Sequence, residues 1–371
     1  MSFGRPWRSP LRALAEACVQ QPLRLPVPDD AAGFAARKGP WRMALRTARH
    51  HLLLRCSGQL PTLRQCIKPG WSRVLWIHEG MPQIGDALMD LAPRSLLAER
   101  GMQVDLFASE HIATLFERDA WFAHSLHRPD DVRVENYDVA IVLSHDHKAR
   151  VSKRARVATL PWVSLQGFYG GPDFHRARFV TQRLADLLSQ RLAPEEFAWH
   201  SAQKLRVKPE AADWAAHVQA APGGVALVLG GVWPARTYRH WVEILSALYT
   251  YGMRSFVLIG SANGRAMADQ LAAHCAADMT LADFVGRTTL PQAHALLAQS
   301  AAVVCTDGGL MHLALTTTTP VVALFNTEIS PEWRFPVHVQ GIGLRSPGHE
   351  VSEIAPELIA EATAMLLGVP K

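Results

Sequence analysis

The chain has 371 residues, of which 49% are hydrophobic and 19% charged, so it is long enough for two globular domains. No apolar run approaches the roughly 18 residues that a transmembrane helix requires, and the arginine-rich first residues lack the continuous apolar core of a secretory signal. Five cysteines, widely spaced and in no Cys-x-x-Cys pair, indicate a reducing compartment and argue against a structural zinc site.

The net charge of +5 is unevenly distributed along the chain. Residues 1–70 hold 12 Lys and Arg against 3 Asp and Glu, whereas the remaining 301 residues hold 26 against 30. The basic character therefore belongs to the N-terminal segment. This distribution favours a local acidic partner, such as an anionic membrane surface or lipid phosphates, over nucleic acid bound across the whole fold.

A helix is predicted over residues 41–55, because apolar side chains recur at steps of four, three and four with arginines beside them. The apolar stripe comprises Trp41, Leu45, Ala48 and Leu52, and the adjacent basic stripe comprises Arg42, Arg46 and Arg49. Two interpretations fit this pattern. Either the helix lies on an anionic membrane surface, or it packs its apolar stripe on the body of the protein and exposes its arginines.

Short apolar strands alternate with helices from residue 73 onward. Strands are predicted at 73–78, 104–107 and 137–143, with one long helix over 86–100 after the first of them. This alternation predicts a parallel, doubly wound sheet. The basic run at 150–156 is predicted to be a solvated face.

The pattern starts afresh near Pro222, and a second series of strands follows at 225–229, 255–259 and 302–305. We therefore predict a basic extension at 1–70, an N-terminal domain at 71–220 and a C-terminal domain at 221–345. A last helix at 346–371 is expected to return toward the N-terminal domain. Two such halves would bind a ligand between the carboxyl ends of their strands. The sequence contains neither a Gly-x-Gly-x-x-Gly motif in the first turn nor a P-loop motif, so it does not indicate an NAD enzyme or a nucleoside triphosphatase.

The stretch 301–325 carries the clearest chemistry of the sequence. It reads as a buried strand ending in Thr306 and Asp307, a Gly308-Gly309 turn, a helix from Leu310 and a second buried strand after Pro320. Glycines permit close approach of a ligand, and the free N–H groups of a helix start favour phosphate. His312, one turn into the helix, would add a further donor, so the stretch predicts a diphosphate site.

Four stretches resemble one enzyme family over roughly residues 72–345. They read VLWIHEGMPQIGDALM, LGGVWPARTYRHWVEIL, DFVGRTTLPQAHALLAQSAAVVCTDGGLMHLA and PVVALFN. Together they are similar to glycosyltransferase family 9, the lipopolysaccharide heptosyltransferases. The third is the most specific, because its Gly-x-Thr-x-Leu segment and its Asp-x-Gly-x-x-His turn lie at the family's spacing. The resemblance implies the GT-B fold, in which two Rossmann-like domains face a cleft.

The resemblance also implies roles for particular residues. Asp86 corresponds to the proposed general base, and the alternative is that it only stabilises the start of its helix. Arg236 takes the place of the family's diphosphate-binding lysine, and a guanidinium can hold phosphate in bidentate fashion. The remaining donor-side residues are Thr288, Thr306, Asp307, Gly308, Gly309 and His312, with Asp307 expected to meet sugar hydroxyls.

The acceptor side departs from the family pattern at Gln83 and at the pair His145 and His147. These three are weak acceptor-side candidates, and the two histidines are interpreted as polar surface and not as a metal site. No metal or other cofactor is expected.

The sequence thus predicts an inverting transferase that moves a sugar, with ADP-heptose as the favoured donor, to a hydroxyl of the lipopolysaccharide core or another lipid-linked or cell-surface glycan. It would act in the cytoplasm, as a peripheral protein on the inner membrane if residues 41–55 bind lipid. Two alternatives stay open: a GT-B transferase with another nucleotide sugar or a protein acceptor, and a nucleotide-sugar binding protein without turnover.

Overall fold

The computed structural model describes residues 39–79, 83–144, 147–167, 175–218, 223–336 and 339–370. Within these ranges no helix is long and apolar enough to cross a membrane. The chain divides into two units. The first comprises Met1–Pro82 and Met89–Ser201, and the second comprises Gln83–Leu88 and Ala202–Lys371.

The first unit contains a parallel sheet in the order β3-β2-β1-β4-β5. Its strands are β1 Arg73–His78, β2 Gln103–Ala108, β3 His124–Leu126, β4 Val139–Ser144 and β5 Trp162–Gly167. Its helices are α1 Pro40–Cys56, α2 Ile84–Asp90 (whose first five residues fall in the second unit), α3 Arg94–Ala98, α4 Glu110–Leu115, α5 His147–Val157, α6 Arg176–Leu187 and α7 Pro194–Ser201. The strands at 73–78, 104–107 and 137–143 are confirmed to within two residues at most ends.

The single helix predicted over 86–100 is wrong, because the chain forms α2 and α3 with a turn between them. Proline has no N–H to continue the hydrogen-bond ladder, and Pro93 stands at the cap of α3. The break lets the buried Arg94 side chain turn inward, where Nη1 donates to the Leu91 carbonyl at 2.8 Å and Nη2 lies 2.6 Å from Asp119 Oδ2. The Arg94 guanidinium also lies over three aromatic rings, so its charge is compensated within the core.

The solvated basic face predicted at 150–156 is also wrong. Arg154 is exposed, but Arg150 and Lys153 are buried. Lys153 Nζ donates to the Ala158 carbonyl at 2.8 Å and lies 6.0 Å from the centre of the Trp162 ring. The long side chain follows the apolar surface of β5, so this part of α5 contributes to the interior.

The second unit contains a parallel sheet in the order β11-β10-β9-β6-β7-β8. Its strands are β6 Val225–Leu229, β7 Ser255–Gly260, β8 Thr280–Asp283, β9 Ala302–Thr306, β10 Val321–Phe325 and β11 Gly341–Arg345. Its helices are α8 Pro209–His217, α9 Trp241–Thr250, α10 Arg265–Ala273, α11 Leu290–Gln299, α12 Gly309–Ala314 and α13 Pro356–Leu367. The predicted α/β class with parallel sheets is confirmed.

Two helices set the limits of this second unit. Helix α8 packs on α11, and both lie in the second unit, which resumes at Ala202. The last helix, α13, packs on α9 and against strands β9, β10 and β11. Ile359 and Ala360 are fully buried there in the main apolar cluster of the unit.

Candidate functional site

The stretch 301–325 forms the strand, turn, helix and strand that its sequence predicts. Thr306 closes β9, Gly308 is extended, and α12 begins at Gly309. The backbone N–H of Asp307 donates to the Leu324 carbonyl at 3.0 Å, which fixes Asp307 at the carboxyl ends of two neighbouring strands. The first backbone N–H groups of this six-residue helix have no acceptor within the helix, so they can face a ligand.

The strand order of the second sheet reverses between β6 and β9. In open parallel sheets, ligands bind at the carboxyl ends of the strands beside such a reversal. Arg236 lies in a 3₁₀ turn, Pro234–Arg236, that follows β6, and Asp307 follows β9. The structure therefore places these two predicted donor residues on either side of the reversal.

Two arginines meet the buried Asp307 carboxylate. Arg236 Nη1 lies 3.2 Å from Oδ2, and Arg334 Nε lies 3.6 Å from Oδ1. Arg334 is itself buried, with only 9% of its side chain exposed, whereas 33% of the Arg236 side chain is exposed. Two guanidinium charges against one carboxylate leave a net positive charge at this edge of the sheet, which suits an anionic ligand.

His312 is buried beside this cluster and is held by Gln203. Its Nδ1 lies 2.9 Å from the Gln203 amide oxygen, which can only accept, so Nδ1 carries the hydrogen. The amide orientation is fixed in turn because Gln203 Nε2 donates to the Arg334 carbonyl at 3.4 Å. The other ring nitrogen, Nε2, faces Asp307 Oδ1 at 4.0 Å and is the one that can gain or lose a proton.

Sequence reasoning missed Gln203 and Arg334, although both complete a ring with Asp307 and His312. Arg334 comes nine residues after β10, at the same edge of the sheet as Asp307, so the rule that ligands bind at the carboxyl ends of strands could have found it. Gln203 lies 109 residues from His312 in the chain, and no motif surrounds it. Only the folded chain identifies it.

The segment Gln83–Leu88 packs against α12 within the second unit. A Cβ atom on Gly85 would lie 2.4 Å from His312 Cδ2, so only glycine permits this approach. One on Gly309 would lie 3.6 Å from Ile84 Cβ, an ordinary contact. Asp86, half-buried in the first turn of α2, is therefore adjacent in sequence to the residue that contacts His312.

The other predicted site residues lie in other segments of the chain. Thr288 is half-buried in the loop before α11, next to Thr289, whose side chain caps that helix. Gln83 is exposed, and its carbonyl accepts from Ala87 N–H at 3.1 Å. His145 lies outside the described residues, and His147 is the first residue of α5 in the first unit.

An exposed aromatic side chain stands at the same edge of the second sheet. Trp233 is 67% exposed, and its carbonyl accepts from the N–H of Arg236 at 2.9 Å. Its backbone thus shapes the turn that presents Arg236. An exposed indole three residues before Arg236 offers a flat surface on which a base or a sugar ring can stack.

Comparison with known proteins identifies a family to which part of the chain is similar. Residues 177–353 match the family model of glycosyltransferase family 9 (heptosyltransferase). This part of the chain, just under half of its length, is similar to glycosyltransferase family 9. The matched range includes Arg236, Asp307, His312 and Arg334, and also Gln203. No curated protein sequence matches this chain significantly.

Solved structures share the fold of this glycosyltransferase at low sequence identity. A family 9 glycosyltransferase from Veillonella parvula matches with a TM-score of 0.67 and 14% identity, over 82% of this chain and 99% of its own. The E. coli ADP-heptose LPS heptosyltransferase II matches with a TM-score of 0.61 and 20% identity, over 80% and 98%. The E. coli heptosyltransferase WaaC with ADP matches with a TM-score of 0.56 and 19% identity, over 79% and 99%. The predicted GT-B fold is confirmed.

Proposed function

We propose that this glycosyltransferase transfers heptose from ADP-heptose, with inversion at the anomeric carbon, to a hydroxyl of the lipopolysaccharide core or another lipid-linked or cell-surface glycan. One observation carries the proposal. The contact between Gly85 and His312 brings the segment with Asp86 against the helix that follows Asp307, so a carboxylate and a cationic cluster share one neighbourhood.

Each group has a role in the proposed reaction. Asp86 takes the proton of the acceptor hydroxyl, whose oxygen attacks the anomeric carbon as the bond from that carbon to the diphosphate oxygen breaks. Arg236 and the N–H groups after Asp307 meet the charge that builds on the departing diphosphate. Because the Nδ1 hydrogen of His312 is committed to Gln203, His312 would donate to the diphosphate from Nε2, in its protonated form.

The choice of donor and location rests on supporting observations. E. coli WaaC was solved both with ADP and with ADP-2-deoxy-2-fluoro heptose, and it shares the fold. Thr306, Gly308 and Gly309 would let a diphosphate lie close to the backbone, and Thr288 would line the donor side. A lipid-linked acceptor would place the enzyme on the cytoplasmic face of the inner membrane as a peripheral protein.

Asp86→Asn tests the assignment of the base. Loss of a general base lowers turnover by roughly 10² to 10⁴-fold, and the variant should still bind ADP with wild-type affinity. Turnover of ADP-heptose is measured with a lipopolysaccharide acceptor, and ADP affinity by calorimetry. Asp105→Asn, whose carboxylate pairs with His124 and Tyr137 in the first sheet, is the control for removing a charge elsewhere.

Full turnover by Asp86→Asn would refute the role of Asp86 as base. A wild-type protein that binds ADP-heptose tightly but shows no transfer to any glycan acceptor would instead support the alternative of a binding protein without turnover.

A further inference from the structure

Helix α1 presents an exposed apolar stripe that the proposed reaction does not use. Trp41 is 65% exposed, Leu45 62% and Leu52 59%, and Ala48 between them is exposed as well. Their spacing places them on one face of the helix. The interpretation in which this stripe packs on the body of the protein is therefore wrong.

A different face of α1 already holds the helix in place. Ala44, Thr47 and Leu54 are at most 3% exposed, and Leu54 belongs to the apolar cluster of the first unit that includes Trp162. The segment that follows is hydrogen-bonded to β5, where Arg64 N–H donates to the Trp162 carbonyl at 2.8 Å. The stripe is thus a second apolar face on a helix that is fixed to the domain.

The charges around the stripe indicate what it binds. The 17 residues of α1 include no acidic side chain, and Arg42, Arg46, Arg49 and Arg55 are all exposed. A helix with an apolar face and a cationic border binds in the plane of an anionic bilayer, with its apolar side chains among the acyl chains and its guanidinium groups at the lipid phosphates. Tryptophan is enriched at the interface between acyl chains and headgroups, because its ring is apolar and its N–H is polar.

We propose that α1 docks this glycosyltransferase on an anionic membrane surface, with Trp41, Leu45 and Leu52 inserted and the four arginines at the headgroups. The proposed function places the enzyme at the membrane because of its acceptor. This inference instead names the surface that binds the membrane, and it holds for any donor sugar. Charge favours a lipid surface over a second copy of this chain, because two copies of α1 would bring their arginines together.

The test is sedimentation of the full chain with large unilamellar vesicles, either of phosphatidylcholine alone or with about a third phosphatidylglycerol. Two variants remove the two components of the surface: Leu45→Ser with Leu52→Ser, and Arg42→Gln with Arg46→Gln and Arg49→Gln. Each has a matched control at exposed positions elsewhere. The controls are Leu358→Ser with Met365→Ser on α13, and Arg118→Gln with Arg128→Gln and Arg133→Gln in the first unit.

We expect the wild type and both controls to pellet with the anionic vesicles and not with neutral ones. Each α1 variant should lose at least tenfold in partition coefficient, with thermal unfolding midpoints unchanged because the altered side chains are exposed. Wild type that stays in solution with anionic vesicles, or α1 variants that bind as well as the controls, would overturn the proposal. A third outcome would also overturn it. In this outcome, size exclusion with light scattering shows the wild type as a dimer and the leucine variant as a monomer, and both bind vesicles equally well.

Discussion

Asp307 lies between two guanidinium groups of different character. Arg236 is a third exposed, whereas Arg334 is buried and its carbonyl also holds Gln203. A buried carboxylate needs compensating charge, and removing part of it leaves an uncompensated charge in the interior. Arg334 therefore positions Asp307 and, through Gln203, the ring of His312.

Arg334→Lys should weaken the site although the charge is kept. A lysine has no planar guanidinium with which to keep the ion pair that Arg334 Nε makes with Asp307 Oδ1 at 3.6 Å. The buried pair should weaken, and kcat/KM should fall roughly tenfold, which corresponds to about 1.4 kcal/mol. Steady-state kinetics measure this loss, and the pH profile of kcat should shift if His312 is displaced. Arg345→Lys is the control, because Arg345 is exposed at the end of β11. Wild-type kinetics and pH profile in Arg334→Lys would contradict the positioning role.

At the scale of elements, helix α5 shows how a basic segment can belong to the interior. Lys153 Nζ donates to the Ala158 carbonyl and lies 3.4 Å from Thr62 Oγ1, so the helix is tied to the segment that leads from α1 into the first unit. Burial lowers the pKa of Lys153 from 10.5 to about 8. The charged form of this lysine is thus less favourable in the folded protein than in the unfolded chain.

The contribution of Lys153 to the stability of the first unit should consequently rise with pH between about 8 and 10.5. In that window the unfolded chain binds a proton at Lys153 that the folded protein does not, so unfolding becomes less favourable as pH rises. At about 1.4 kcal/mol per pK unit, the difference in unfolding free energy between wild type and Lys153→Met should change by about 3 kcal/mol in favour of wild type. Urea unfolding at pH 7 and pH 10.5 measures it. A difference independent of pH would contradict the lowered pKa.

At the scale of the whole molecule, the two units repeat one strand order. In each sheet the first strand of the unit lies beside its second and its fourth, which is the order of a Rossmann-like domain. The second unit holds the acidic and basic residues assigned to the donor, and it also includes Gln83–Leu88 from the earlier part of the chain. The donor should therefore stabilise the second unit and the short segment that belongs to it.

A thermal-shift series with ADP, UDP and GDP tests the donor class. A nucleotide at 100 times its dissociation constant adds about 2.7 kcal/mol to the free energy of unfolding, so ADP should raise the transition temperature clearly more than equal concentrations of UDP or GDP. Bound ADP should also slow the exchange of backbone amide hydrogens in β9 and α12. A larger shift with UDP or GDP would assign the protein to the alternative of another nucleotide sugar.

The sequence by itself determined the predicted strands of both units and the course of the stretch 301–325, because strand and helix patterns are local. A run of β-branched residues, two glycines and a proline specify a strand, a turn and a helix end within a few residues. The family motifs pointed in the same way to Arg236, Asp307 and His312. Their placement at one edge of the sheet followed from the rule for parallel strands.

Tertiary structure alone decided which side chains complete those motifs. Gln203 meets His312, and Arg334 meets Asp307, through contacts between segments far apart in the chain. Likewise the sequence identified one apolar stripe on α1, and it could not say whether the domain would bury that stripe or another face of the helix. Periodicity fixes the spacing of side chains around a helix, but burial depends on the neighbour that the fold supplies. That neighbour covers Leu54 and leaves Leu52 exposed.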